Sequence, residues 1–252
     1  TVGTLAAARA PADGTTLTMG ITDTFAINRS TFRNLPYNDE TDFTPISMVT
    51  RVPFALMVGA HRREITDFAS FIREARREAG RLSHASWGVG SSSHLAFEFV
   101  ARAQNFEKLH VPFAAQAPGM QAVAAGQVDS MMLPVGGANS LAVDNRARIL
   151  ALAHPQRIEL TPNVPTMTEV GVPLATGLWL ALYAPARTPP AAIARLNEAV
   201  REGMRNETTQ NVFRQQAGVG EPSTPQELAE FARREREQWA QLVREKNITV
   251  EG

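Results

Sequence analysis

The chain alternates short apolar runs with longer stretches in which apolar side chains recur every three or four residues. The first pattern fits strands buried on one or both faces, and the second fits amphipathic helices. Residues 1–9 read as the end of a helix, and Pro11-Ala12-Asp13-Gly14 as a turn. Residues 15–21 alternate and predict a strand. Thr22-Asp23-Thr24 follows at its end, placed to cap a short helix. Residues 34–38 read as loop, and 43–58 as strand-like segments that Pro45 and Pro53 confine to edges or crossings. Thr66 is the expected N-cap of a helix carrying Phe68, Phe71, Ile72 and Ala75 and stopping at Gly80.

Further along, 82–87 predicts a short strand, followed by a serine-rich turn and a helix to about Ala103. Residues 108–113, 128–133, 148–153 and 178–183 predict strands, with a short helix over 120–125 that ends at Gly126. The tail is helical. Thr188-Pro189 reads as an N-cap followed by proline at the first helical position, and Ile193, Leu196, Val200 and Met204 then share one face. A second helix ends at Gly218. Thr224-Pro225-Gln226-Glu227 is a capping box for a last helix carrying Leu228, Phe231, Trp239, Leu242 and Val243. Strands alternating with helices predict an α/β fold with a largely parallel sheet. In such sheets ligands sit beyond the carboxyl ends of strands.

The serine turn lies in such a place. Residues 86–97 run from Ser86 and Trp87 through Gly88-Val89-Gly90 into Ser91-Ser92-Ser93-His94 and an apolar helix. The first turn of a helix carries unpaired N–H groups and the positive end of the helix dipole. Glycines let a ligand approach the backbone, and serine hydroxyls add donors. The combination suits a carboxylate or similar anion. The plainer reading is a well-capped helix start, since serine is a common cap. Trp87 is either core or a stacking partner for a ring. Asp23 either caps the following helix or meets a ligand donor through water. Asp129 reads as a turn contact before a buried strand.

Composition narrows the function classes. Lys plus Arg and Asp plus Glu are both 25, so formal charge is zero, which argues against a nucleic-acid partner. No apolar run reaches the roughly 20 residues of a membrane span. The chain has no cysteine, which removes disulfides, thiol catalysis and cysteine-bound zinc. The histidines at 61, 84, 94, 110 and 154 show no H-E-x-x-H spacing, so His94 reads as structural and no metal or other cofactor is expected. Gly90 to His94 does not fit the nucleophile elbow G-x-S-x-G, because histidine stands where the last glycine belongs. No P-loop is present. The charged run 233–236 reads as a solvated helix face.

Several segments in order carry a family resemblance: Ala12-Asp13-Gly14-Thr15-Thr16-Leu17, Asp42-Phe43-Thr44-Pro45-Ile46 and Gly88-Val89-Gly90-Ser91-Ser92-Ser93-His94-Leu95. They continue with Val111-Pro112-Phe113, Ala125-Gly126-Gln127-Val128-Asp129, Val164-Pro165-Thr166-Met167-Thr168-Glu169-Val170-Gly171, Trp179, and Ala184-Pro185-Ala186-Arg187-Thr188-Pro189. In this the chain resembles the tripartite tricarboxylate transporter receptors, the TctC or Bug solute-binding proteins.

The resemblance implies a two-lobed periplasmic binding protein that closes on a small carboxylate and delivers it to the permease subunits of a tripartite transporter. Residues 1–55 with 180–252 would form one lobe and 56–179 the other, the chain crossing near 51–56 and 179–185. Carried over, the ligand contacts are Trp87, Gly88, Gly90, Ser91, Ser92, Ser93, His94 and Leu133 from the second lobe. Thr22, Asp23 and Thr24 would face them from the first. Three departures stand out. The family opens earlier, with a first strand and a Pro-Gly-Gly loop, so the fold is expected to lack its first strand or to have it truncated. Phe113-Ala114-Ala115 replaces a Tyr-Lys-Gly run, and Leu133 stands where a polar residue is usual. These changes point to a ligand with one carboxylate and an apolar or aromatic body. The reading is therefore a monomeric transport receptor and not an enzyme, with a ligand-sensing module for a signalling kinase and a hydrolase using Ser92 or Ser93 as the alternatives.

Overall fold

The computed structural model describes residues 1–215, 217–246 and 250. In chain order the elements begin with α1 (Val2–Ala8), β1 (Thr18–Ile21), a π-helical turn (Asp23–Ile27), α2 (Asn28–Thr31) and the long strand β2 (Phe43–Gly59). Next come α3 (Phe68–Glu78), β3 (Ser83–Ser86), α4 (Ser92–Ala103), β4 (Leu109–Pro112), α5 (Gln116–Ala124), β5 (Ser130–Pro134), α6 (Val135–Val143) and β6 (Ala147–Leu152). The chain closes with β7 (Gly177–Pro185), α7 (Pro190–Arg205), α8 (Glu207–Gln215), β8 (Val219–Gly220) and α9 (Pro225–Lys246).

These elements form two compact units. One comprises Thr1–Arg51, Leu178–Arg214 and Gly218–Gly252; the other comprises Val52–Gly177 with Gln215–Ala217. Strand β2 contributes to both. Its first part pairs with β7 and β8 in the first unit, where β7 also pairs with β1. Its second part lies between β6 and β5 in the second unit, whose order is β6-β2-β5-β3-β4. The sheets are mixed rather than largely parallel. β3 runs parallel to β4 and β5, as helical crossovers require. β2 is antiparallel to β5, β6 and β8, and β1 to β7. The expectation of a largely parallel sheet missed that one strand of 17 residues would oppose the crossover strands.

Pro53 lies at the point where β2 passes from one unit to the other, so its missing donor costs little. Gly177 is pressed against that point: a Cβ on it would lie 2.1 Å from the Val52 carbonyl oxygen. The second unit's core joins Ala55 and Met57 of β2, Ala85 of β3, Met131 and Leu133 of β5, and Val135 and Ala138 of α6. In the first unit Phe25 stacks on Tyr183 with centroids 4.0 Å apart. Gly20 leaves room for that stack, since a Cβ there would sit 2.6 Å from the tyrosine ring.

Caps moved by a residue in two places. Asp67, not Thr66, starts α3, in a capping box with Ser70. Helix α7 begins at Pro190, and Thr188 instead donates its hydroxyl to Pro185 O at 2.8 Å. The Thr224–Glu227 box forms as expected: Glu227 N–H donates to Thr224 Oγ1 at 3.2 Å, and Thr224 N–H to Glu227 Oε2 at 2.8 Å. Helix α6 was not anticipated. It follows a buried strand directly, with Pro134 before it and no side-chain cap.

Candidate ligand-binding site

Strand β3 delivers the chain to the serine turn. Gly88 (φ 129°) and Gly90 (φ 76°) take the left-handed region, which favours glycine. Ser91 caps α4: its hydroxyl donates to Gly88 O at 2.7 Å and accepts from His94 N–H at 3.3 Å. Ser91 N–H also reaches Gly88 O, at 3.2 Å. Gly90 N–H donates to His94 Nδ1 at 3.1 Å. The turn is therefore closed by its own groups. Val89 stands at its tip, 46% exposed, and its N–H has no partner among the described residues. A Cβ on Gly88 would meet nothing within 4 Å, so the backbone there faces open space. Half-buried Trp87 lies edge-on to Phe54, centroids 5.8 Å apart.

This geometry revises the expected donors. Ser93 is fully buried and gives its hydroxyl to Met132 O on β5, which ties α4 to the sheet rather than to a ligand. The hydroxyl of Ser91 is spent on Gly88. Ser92 is fully buried as well. Leu133 is fully buried in the second unit's core, not on a wall open to a ligand.

A group of ring systems and charges lies under the turn, and sequence reasoning did not assemble it. Ser86 Oγ sits 2.7 Å from His110 Nε2, accepts from Gly88 N–H at 3.1 Å and is 3.0 Å from Gly88 O. His110 and His94 stack with centroids 3.8 Å apart and planes within 6°. His94 Nε2 meets Glu98 Oε1 at 3.3 Å, and Lys108 also pairs with Glu98. Because His94 Nδ1 accepts from Gly90, its proton belongs on Nε2, facing the carboxylate. Burial, then the nearby His94 and Lys108, push His110 down to about 4. Burial alone would raise Glu98, but hydrogen bonds from His94 and Lys108 bring it to about 2. The only sequence signal was the i,i+4 spacing of His94 and Glu98 on α4.

In the first unit, Thr22, Asp23 and Thr24 sit where β1 meets the π-helical turn. Thr22 is fully buried and accepts from Trp179 N–H at 2.9 Å, so its side chain binds β7 rather than capping a helix. Thr24 Oγ1 accepts from Ile21 N–H at 3.2 Å and closes the strand end. Asp23 opens the π-helical turn and is partly exposed. Asp129 makes more than a turn contact. It accepts from Ser83 N–H at 2.7 Å and from Arg62, which is itself buried.

Among the described residues, Glu64, Glu74 and Glu78 are the set close enough to share a metal ion. Arg62 pairs with Glu64 and Glu78, and Arg77 with Glu74, so these carboxylates already have cationic partners. Among the same residues no helix is long and apolar enough to cross a membrane.

The α/β units and their swapped chain segments define a solute-binding protein of the periplasmic-binding-protein fold. R. palustris Rpa4515 with adipate superposes with a TM-score of 0.92 at 27% identity, over 98% of this chain and 83% of that one. MatC (Rpa3494) from Rhodopseudomonas palustris with bound malate gives 0.87 at 27% identity, over 96% and 84%. A Pseudomonas sp. (strain P51) relative, the UPF0065 protein in the tcbD-tcbE intergenic region, is 31% identical over 99% of this chain and 74% of its own length. The family model described as the tripartite tricarboxylate transporter family receptor, TctC, matches residues 1–248. The chain belongs to that family.

Proposed function

We propose that the chain is a periplasmic receptor that binds a small carboxylate at the 87–91 turn and hands it to the permease of a tripartite transporter. The observation that carries this reading is the Val89 N–H, left without a partner among the described residues at the tip of a turn that its neighbours hold rigid. A donor fixed before the ligand arrives loses little freedom on binding. Gly88 and Gly90 keep the backbone open, Ser91 and His94 hold its shape, and Trp87 offers an apolar flank. Adipate and malate in the two structural relatives support the ligand class. The apolar flank and the uncharged tip favour a carboxylate attached to an apolar body.

The arrangement favours binding over catalysis. The Ser91 and Ser93 hydroxyls are committed to carbonyl oxygens. Ser86 does meet a histidine, but it is fully buried and tied to Gly88.

Thermal unfolding with adipate, benzoate, malate, citrate and glutamate tests the reading. A ligand at a hundredfold excess over its Kd should raise Tm by about 5–10 °C. Adipate or benzoate should act most strongly, and Val89→Pro, which deletes the N–H, should abolish the shift. Shifts with citrate and glutamate alone overturn the apolar-body assignment. A shift that survives in Val89→Pro overturns the site.

A further inference from the structure

The parallel strands of the second unit end side by side. β3 pairs with β4, Ser86 beside Pro112, and with β5, Ala85 beside Met131, so β3 lies between the two. Beyond these ends come Trp87 and the serine turn, residues 113–116 leading into α5, and residues 135–137 opening α6. Among 113–116 and 135–137 the one polar side chain is Gln116. It reaches across: its Nε2 lies 3.0 Å from where a Cβ on Gly137 would sit. A contact between the starts of α5 and α6 has to cross the end of β3, where Trp87 stands. Trp87, Phe113 and Met120 pack against one and the same core cluster. Gln116 is half-buried. Its Nε2 donates to Met120 Sδ at 3.4 Å, a weak acceptor, and its Oε1 has no partner among the described residues.

Given carboxylate binding at the 87–91 turn, on which this rests, we infer that Gln116 reads the far end of the ligand. The molecule that fits lays an apolar body along Trp87 and Phe113 and ends in a neutral hydrogen-bond donor, a hydroxyl or a carboxamide. The free Oε1 asks for a donor, and a second carboxylate has no hydrogen to give it. No cationic side chain stands in 86–93, 113–116 or 135–137. A second carboxylate would there give up water with no positive charge to replace it, which is costly. A wholly apolar end would cover the carboxamide and leave it unsatisfied. Gly137 belongs to the arrangement, because a side chain in its place would push the Gln116 amide aside.

Isothermal titration of the full chain at pH 7 compares benzoate with 4-hydroxybenzoate, and adipate with its monoamide. The hydroxyl should tighten binding about fivefold, as one added hydrogen bond does, and the monoamide should bind more tightly than adipate. In Gln116→Leu benzoate and 4-hydroxybenzoate should bind alike. Gly137→Ala, a favourable change for a helix, displaces the carboxamide and should shrink the same gain. Equal affinities for benzoate and 4-hydroxybenzoate in the parent chain, both abolished by Val89→Pro, overturn the role of Gln116 and leave the carboxylate site standing. A hydroxyl gain that persists in Gln116→Leu places the far end on another residue and also overturns it. Adipate binding more tightly than its monoamide overturns the neutral end. If none of these acids binds, carboxylate binding at the turn falls, and the role of Gln116 with it.

Discussion

Ser86 and His94 between them hold the turn proposed to meet the ligand. Ser86 grips Gly88 from beneath and leans on His110; His94 accepts from Gly90. The groups around His110 are His94 and Glu98 on α4, Lys108 just before β4, and His84 on β3. An unfolded histidine takes up a proton near 6.5, whereas folded His110 resists until about 4. Between those values the unfolded chain binds more protons, so stability falls as pH falls. Burial also depresses fully buried His84, which acts in the same direction. Glu98 continues the loss below 4.5, because it stays ionised in the folded state down to about 2. Unfolding midpoints in urea at pH 7, 5.5 and 4.5 should decline steadily for the parent chain. His110→Gln should flatten the part between 6.5 and 4 without removing the remainder due to His84. Parallel curves for the two proteins would show that His110 is not the group responsible.

At the scale of elements, the tightest constraint is the passage of β7 across β2. Gly177 lies so close to Val52 that an added methyl would strike a backbone carbonyl, which cannot rotate away as a side chain can. Gly177→Ala should therefore destabilise by about 3 kcal/mol, at the upper end of overpacking costs. Gly203→Ala, on α7 with open space around it, should be neutral or stabilising. Denaturant titration of both variants checks this; equal effects would mean that the crossing yields. Local chemistry made much of this level legible in the sequence. Ser91 before an apolar helix, the Thr224–Glu227 box and Pro53 each state their position through a donor or a fixed φ. Helix α6 was hidden because Pro134, Gly136 and Gly137 offer no cap and little helix propensity. The His94–His110 stack was hidden for a different reason. It forms only because β4 lies parallel beside β3, and pairing of that kind is not written in residue spacing. The same limit misled the reading of Ser93 and Leu133, whose types suited a ligand but whose place in the packing faces the core.

At the scale of the whole molecule, the two units differ in how they are cut from the chain. The first is assembled from three separated segments, and α9, near the end of the chain, packs on the π-helical turn near its start. The second is nearly continuous over Val52–Gly177, within the usual size of an independently folding domain. Its core residues from β2 to β6 all lie inside that stretch, and so do the serine turn and the histidine stack. A fragment of residues 52–177 should therefore fold alone and unfold cooperatively on heating, whereas 1–51 alone should not. Trp87 is the one tryptophan in that fragment, since Trp179 and Trp239 lie outside it. Its emission reports on the turn directly. If the turn is rigid before ligand arrives, Trp87 should show the same emission maximum in the fragment as in a Trp179→Phe/Trp239→Phe full chain. Carboxylate should then bind the fragment and perturb Trp87. A red-shifted, ligand-insensitive Trp87 in a fragment that nonetheless unfolds cooperatively would mean that the turn takes its shape from the rest of the chain. The hydrogen bonds from Ser86, Ser91 and His94 would then be insufficient to hold it.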